Sequence, residues 1–409
     1  METGLHSPDI VSRLASRCAP VLRLGQTGVV AVLLLLAGSA STCLALKPVT
    51  GGQLEQILSS TQNASDAQVA AQLSDLSLIE RLSPAAVSRC AGGLPGPRAR
   101  QAFLVLTDMS EFLEPPAAEI PALAKPDPEA QRRMIAMTVD YASKTIHQLP
   151  NFSAMRVTTT FQDNPTFDGA KTKDPRAIPD VMMVSQTLHP VGRYSAAVLY
   201  RKGREEVHGE TEQSKTQGLT TSGEFGPILS TSLLDAAQGH LAWSHWEQGA
   251  AGPEAVFRFA VPAEKSHYEV AYCCIIKGNG DRVYYRQFSA YSGEIAIDPA
   301  NGTILRLSLK ATGLKSTDPI VKANIVVEYG AVELGGRTYI CPLKGIALSL
   351  ASERQPLLGA QEEDFPPLQT SLNDVAFEQY HLYRADSHVV PGYTEEQLQK
   401  PPDGSKTPD

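Results

Sequence analysis

Between Thr50 and Leu149 the apolar positions recur every three or four residues, and after Pro150 they recur every second residue. The first period predicts helices and the second predicts strands. Thr50 with Gln53, and Ser65 with Gln68, have the spacing at which a cap hydroxyl and a side chain three residues later satisfy each other's backbone amides, so each pair marks a helix start. Val69, Leu73, Leu76 and Ile79 then read as one stripe. Ser83-Pro84 opens a short helix that Gly92-Gly93 ends. Ala102, Leu106, Met109 and Leu113 form a further stripe. Five prolines between Glu114 and Pro128 remove the backbone donors a helix interior needs and predict an extended linker. Asp127-Pro128 opens the next helix, with Ile135, Val139, Ala142, Ile146 and Leu149 on its apolar side.

In the second half Met155, Val157 and Thr159 alternate with Arg156, Thr158 and Thr160. Further strands are expected at Val181–Gln186, Arg193–Arg201, Leu241–Trp246, Ala255–Val261, Tyr268–Ile276 and Tyr284–Phe288. A meander follows: Glu294–Ile297, the turn formers Asp298 to Gly302, Thr303–Lys310, Asn324–Tyr329, Ala331–Leu334, a Gly335-Gly336 hairpin, Arg337–Pro342, Gly345–Leu350 and Val375–Tyr383. A helix from Gly226 to Gln238 interrupts it. Short turns between consecutive strands imply an antiparallel sheet. The expected fold is α+β: a helical domain over 50–113, a proline-rich linker over 114–127, and a domain over 128–390 in which helices cover the concave side of a curved sheet. Residues 391–409 have no apolar period and predict a disordered tail.

Residues 1–45 change the picture from fold to location. Arg13, Arg17 and Arg23 precede the apolar run Gly28–Ala37, and small residues follow to Ala45, which is the pattern of a secretory signal peptide. The alternative is an uncleaved anchor, since Gly28–Leu46 approaches the length of a membrane span. The net charge is -8, and no Lys/Arg cluster gives the electrostatic footprint that nucleic acid needs. Of six cysteines, Cys90, Cys273, Cys274 and Cys341 lie beyond the leader. Neighbouring strand residues face opposite sides, so Cys341 is expected to bridge to one of Cys273 and Cys274, the alternative being free buried thiols.

Candidate chemistry is sparse. No G-x-S-x-G, C-x-x-C or H-E-x-x-H occurs, so no catalytic residue, metal ligand or cofactor is assigned. Thr221 and Ser222 precede a helix and read as turn and cap residues. Glu205, Glu206, His208 and Glu210 read as a charged loop. His240 and His245, and likewise Trp243 and Trp246, are an odd number of residues apart and should face opposite sides of a regular strand. Trp243, Trp246, Tyr272 and Tyr285 are the candidates for lining a ligand groove, against the reading that they are sheet-packing aromatics.

The run from Gly223 to Leu350, with its His-Tyr-Glu-Val-Ala-Tyr-Cys-Cys, Gly-Glu-Ile-Ala-Ile-Asp-Pro-Ala-Asn-Gly and Glu-Leu-Gly-Gly-Arg-Thr-Tyr-Ile-Cys-Pro segments, resembles a group of uncharacterised secreted bacterial proteins. More remotely, a long helix followed by antiparallel strands over residues 128–385 resembles the LolA-type periplasmic lipoprotein carriers. That resemblance implies a half-barrel sheltering lipid chains. The expected role is an exported envelope protein that binds lipid or an acyl chain. The alternatives are a structural or protein-interaction module of the envelope and, third, a hydrolase of unfamiliar type.

Overall fold

Both reciprocal caps form. In the computed structural model, which describes residues 46–61, 63–163, 187–208, 218–219, 221–277, 280–315, 318–352 and 368–382, the side chain of Thr50 accepts from Gln53 N–H and that of Ser65 from Gln68 N–H. They start α1 (Gly51–Ser60) and α2 (Asp66–Ser74). Ser83 caps α3 (Pro84–Gly92), and α4 (Pro97–Ser110) follows. The stripe from Val69 to Ile79 breaks after Leu73. Asp75 ends α2, and β2 (Leu76–Leu78) pairs in parallel with β1 (Lys47–Val49). The switch from helical to strand period buries Leu76 and Leu78 and leaves Ile79 59% exposed.

After the proline-rich segment comes α5 (Pro128–Gln148). Its buried positions are Met134, Thr138 and Ala142, whereas Val139, expected inside, is exposed. Ile135 and Leu149 pack against the apolar clusters as expected, and the 298–302 turn sits against the helix. A Cβ at Gly302 would fall 2.5 Å from the backbone of Met137 and Thr138, and the Thr138 hydroxyl is satisfied internally by Met134 O at 3.0 Å. Ile146 lies outside the described side chains.

The strands are β3 (Phe152–Gln162), β4 (His189–Arg201), β5 (Arg204–His208) and β6 (Gly218–Leu219); then, after α6 (Pro227–Gln238), β7 (His240–Gln248), β8 (Pro253–Val261), β9 (Glu269–Ile276) and β10 (Arg282–Phe288). They continue with β11 (Tyr291–Ile297), β12 (Ile304–Ala311), β13 (Ile320–Leu334), β14 (Arg337–Ala351) and β15 (Gln369–Leu382). Ten of them form one antiparallel sheet in the order β5-β4-β3-β15-β14-β13-β12-β11-β8-β7. It is open, with β5 and β7 at its edges. A smaller sheet, β10-β9-β6, stands apart from it. The pieces read as four strands between Asn324 and Leu350 are two long ones joined at Gly335-Gly336. Both glycines have positive φ, 60° and 79°, as the tight hairpin requires, and a register shift at Glu328/Tyr329 takes up the irregularity that suggested a break.

Alternation along β13 sorts the two faces. Ile325 and Val327 join the largest apolar cluster, with Met134 and Ala142 of α5, Leu229 and Ala236 of α6, and Val270 and Tyr272 of the small sheet. Val326 points the other way, into a cluster with Phe161, Ile346, Leu348 and Leu372 on which α4 lays Leu104, Val105 and Met109. The other side of α4, Ala99, Phe103 and Leu106, packs with α1, α2 and α3 in a cluster of their own. Helices thus cover both faces, not one. The apolar space expected between α5 and the sheet is filled by side chains of the largest cluster.

The 114–127 segment is extended but fastened. Glu114 pairs with Arg258 of β8 at 2.5 Å, and the Trp246 indole donates to Ala124 O at 2.9 Å. Among the described residues no helix is long and apolar enough to cross a membrane. The leader 1–45, the strand expected at Val181–Gln186, Glu210 and the tail 391–409 lie outside the described residues.

Candidate functional site

Two cavities lie on opposite faces of the large sheet. The larger, about 680 Å³, lies between the helical segment and the face that α4 covers. Its walls are mixed: Leu73, Leu76, Val105, Leu106, Met109 and Leu348 are apolar, and Ser74, Ser77, Ser110 and Thr187 are polar. Further polar groups come from neighbouring strands, Lys310 of β12 and Lys322 and Asn324 of β13, with Asp163 and Thr370 beyond them. Lys310 lies directly opposite Asn324 in the ladder, so the two lysines are clustered by register. The Lys310 ammonium donates to Phe112 O at 3.2 Å. Lys322 has no hydrogen-bond or ion-pair partner among the described residues, and burial followed by the like charge of Lys310 lowers its pKa. Asp163 is spoken for: its Oδ1 accepts the Thr370 N–H at 3.1 Å. A chamber with leucine and valine side chains on one wall and the exposed Lys322, unpaired among the described residues, on its lining can accommodate a hydrocarbon with an acidic end.

The smaller cavity, about 400 Å³, opens on the other face between α6, the small sheet and β3. His267 and Ser222 are both on its wall, with Thr221, Thr231, Tyr268 and Arg286. Asp235, the one charged residue of α6, is completely buried. Its Oδ2 accepts from the His267 N–H at 2.8 Å and from the Tyr291 O–H at 2.9 Å, while Oδ1 lies 2.7 Å from His267 Nδ1. The imidazole itself is 71% exposed. A carboxylate at Nδ1 makes that nitrogen the donor and leaves Nε2 as the acceptor of a neutral ring. The loop carrying His267 is pinned by Ser266, whose hydroxyl donates to Ser289 O at 2.6 Å.

Behind this cleft the loop before α6 is tied to the sheet by buried charge. Arg156 donates to Thr221 O and Oγ1, both at 2.9 Å, and lies 3.9 Å from Glu224. Glu205 accepts the N–H groups of Gly223 and Phe225, each at 3.4 Å. Burial, then the neighbouring Glu224, pushes the Glu205 carboxyl up to about 7. Neither Thr221 nor Ser222 caps α6. Its N-cap is Gly226, without a side-chain cap bond, and Ser222 is an exposed hydroxyl in the cleft.

The residues singled out by sequence fall elsewhere. Trp243 and Trp246 are on the same side of β7, ring centroids 5.0 Å apart, because a bulge between Trp243 and His245 resets the alternation. The bulge brings His240 and His245 to one face as well, yet no three His, Cys, Asp or Glu side chains among the described residues are placed to hold a metal. Tyr272 and Tyr285 are cross-strand partners in the small sheet. All four aromatic candidates pack in or against the largest cluster, and none lines either cavity. Glu205, Glu206 and His208, read as a loop, form the edge strand β5, with His208 Nε2 3.5 Å from Glu206. The expected bridge from Cys341 is absent: Cys273 and Cys274 are joined to each other, and Cys341 is a buried free thiol within an aromatic cluster of β3, β4 and β15.

Asp235 and His267 went unseen because they are 32 residues apart and no fixed spacing marks a buried acid beside a loop histidine. One signal was available. A lone Asp inside Leu233-Leu-Asp-Ala-Ala, on the apolar run of a helix, needs a buried partner. No family model, curated protein or solved structure matches the chain.

Proposed function

We propose that the protein is an exported carrier that binds an amphipathic acid, a single acyl chain ending in a carboxylate or phosphate, in the cavity between α4 and the large sheet. The observation that carries this reading is the combination of a chamber of about 680 Å³, walled in part by leucine, valine and methionine side chains, with Lys322, unpaired among the described residues, beside Lys310. Burying a methylene is worth about 0.8 kcal/mol, so ten of them would give about 8 kcal/mol before ordering costs are subtracted. The acid adds a charge-assisted contact to an ammonium that the protein leaves without a counterion. A LolA-type carrier would shelter its lipid under the long helix, whereas the candidate chamber of this chain lies under α4. Export rests on the leader sequence, Arg13 to Ala45.

The test is native mass spectrometry with lipid extraction on the protein purified from the periplasm of an expressing bacterium, followed by titration with oleate. Co-purified acyl species at fixed stoichiometry, lost in Leu348→Trp and weakened at least tenfold in Lys322→Glu, are expected. A protein that arrives empty and stays empty with oleate would overturn the carrier reading and favour an interaction role for the helical segment.

A further inference from the structure

We infer that the cleft on the other face is a hydrolytic site in which His267, held by Asp235, is the general base for attack of water on a neutral carboxylic ester. Three independent features point there. First, the buried carboxylate fixes the ring through both its Nδ1 and its backbone N–H, at 2.7 and 2.8 Å, so His267 is positioned twice over, and the ring is 71% exposed on the wall of a cavity of about 400 Å³. A histidine needed only to satisfy Asp235 would gain nothing from this exposure. Second, the cleft holds hydroxyls that the fold does not use: among the described residues the side chains of Ser222 and Thr231 make no hydrogen bond, and the Tyr268 hydroxyl, on the same wall, is buried without a partner. Third, charge in the cleft is balanced. Arg286 is paired with Glu269 at 3.2 Å, and Arg156 is engaged by Thr221 and Glu224.

That balance selects the substrate class. Among the described residues a phosphate ester would find no unpaired lysine or arginine here. Glycoside cleavage needs two carboxylates flanking the bond, whereas among the described residues Glu269 is the one carboxylate on this wall and is committed to Arg286. An uncharged ester fits, with its apolar part against Ile228, Ala271 and Tyr284 and its carbonyl oxygen toward the unused hydroxyls. His267 Nε2 takes a proton from water as the oxygen adds to the ester carbonyl. The tetrahedral intermediate then expels the alcohol, whose oxygen takes that proton back from His267, leaving the carboxylic acid. Asp235 is a positioning residue: it holds the tautomer and stabilises the imidazolium formed in the step.

The experiment uses the purified full chain and 4-methylumbelliferyl acetate and butyrate. Wild type is expected to turn over at least one of them, with kcat/KM falling at least 100-fold in His267→Gly, the range in which a general base contributes, and partial recovery on adding imidazole. Asp235→Asn should lower kcat at least tenfold with KM retained. His240→Ala, an exposed histidine on another face, should leave the rate unchanged. His267→Gly takes the ring from the buried Asp235 but leaves it the main-chain N–H at position 267 and the Tyr291 O–H, and a thermal melt checks that the fold is kept. Turnover no faster than that of folded His267→Gly, or loss without imidazole rescue, would overturn the proposal and make Asp235–His267 a structural pair. Neither result bears on acyl-chain binding in the cavity under α4.

Discussion

The ammonium of Lys344 in β14 donates to the fully buried carboxylate of Asp108 in α4, and Asp374 of β15 lies 3.6 Å from the same ammonium. This contact crosses the seam between the helical segment and the large sheet. Burial works against the charge of Lys344, yet the two aspartates outweigh it and its pKa is raised. One ammonium serves two carboxylates, so burial pushes Asp108 up in spite of Lys344, and Asp374 adds to the effect. Lys344→Met would leave that acid without a cation and is expected to cost about 3–5 kcal/mol in urea unfolding. Asp108→Leu combined with Lys344→Met should be less destabilising than Lys344→Met alone, because it leaves one carboxylate, Asp374, without the cation instead of two. A double mutant at least as unstable as Lys344→Met would contradict this account.

Gly302 fixes where α5 docks. It has φ of +76°, and a Cβ there would lie 2.5 Å from Met137 C and Thr138 N. Strain from the left-handed backbone and a clash with main chain add together, so Gly302→Ala is expected to destabilise by more than about 1 kcal/mol. Gly336, also at positive φ but in open space, separates the terms. Gly336→Ala should cost the backbone strain alone. Equal losses in thermal melts would show that the α5 contact is unimportant.

How far the residues announced this architecture depends on whether the signal was local. Thr50 and Ser65 start helices as expected because a reciprocal cap is completed within four residues, and Gly335-Gly336 turns the chain because two positive φ angles need no distant partner. Along α5, Ile135, Ala142 and Leu149 pack inward as the stripe predicts, but Val139 is exposed, and the contact of Gly302 with Met137 and Thr138, more than a hundred residues away, has no local signal. Trp243 and Trp246 were assigned to opposite faces because a bulge is invisible to a period of two. Both cavities lie between elements distant in sequence. Lys310 and Lys322 become neighbours of the α4 side chains through sheet register, and Asp235 meets His267 through tertiary packing, so neither site leaves a motif.

Stability should peak at mildly acidic pH. Burial, then Glu328, pushes Glu111 up to about 7, and burial, then Glu247, does the same to Glu254. Glu205 rises to about 7 as well. The folded chain therefore keeps protons that the unfolded chain, with carboxyls near 4.5, has lost, and stability falls as pH rises from about 4.5 to 7. Glu247 runs the other way. Its burial is outweighed by His245, Arg306 and Arg81, which hold it at about 2, so its contribution is present above 4.5 and fades as pH drops toward 2. The urea midpoint is expected to be higher at pH 5 than at pH 8. Glu111→Gln should remove on the order of 1 kcal/mol of that difference, after allowance for solvent screening of a partly exposed group. A midpoint that rises with pH between 5 and 8 would refute the assignment.

The cysteine pairing can be read by differential alkylation. Cys341 is buried and its thiol is pushed up to about 12 by that burial alone; Cys90, likewise buried, rises to about 11 with burial the first cause. Thiolate is the reactive form, so neither should take up iodoacetamide in the native state at pH 7.5. Without reductant, denaturant should expose both, and their peptides should then carry label in full. The Cys273–Cys274 peptide should be labelled only after reduction, since its two sulfurs are joined to each other. Recovery of a cross-linked peptide containing Cys341 and either of those cysteines would restore the pairing that strand geometry suggests and would contradict the Cys273–Cys274 bond.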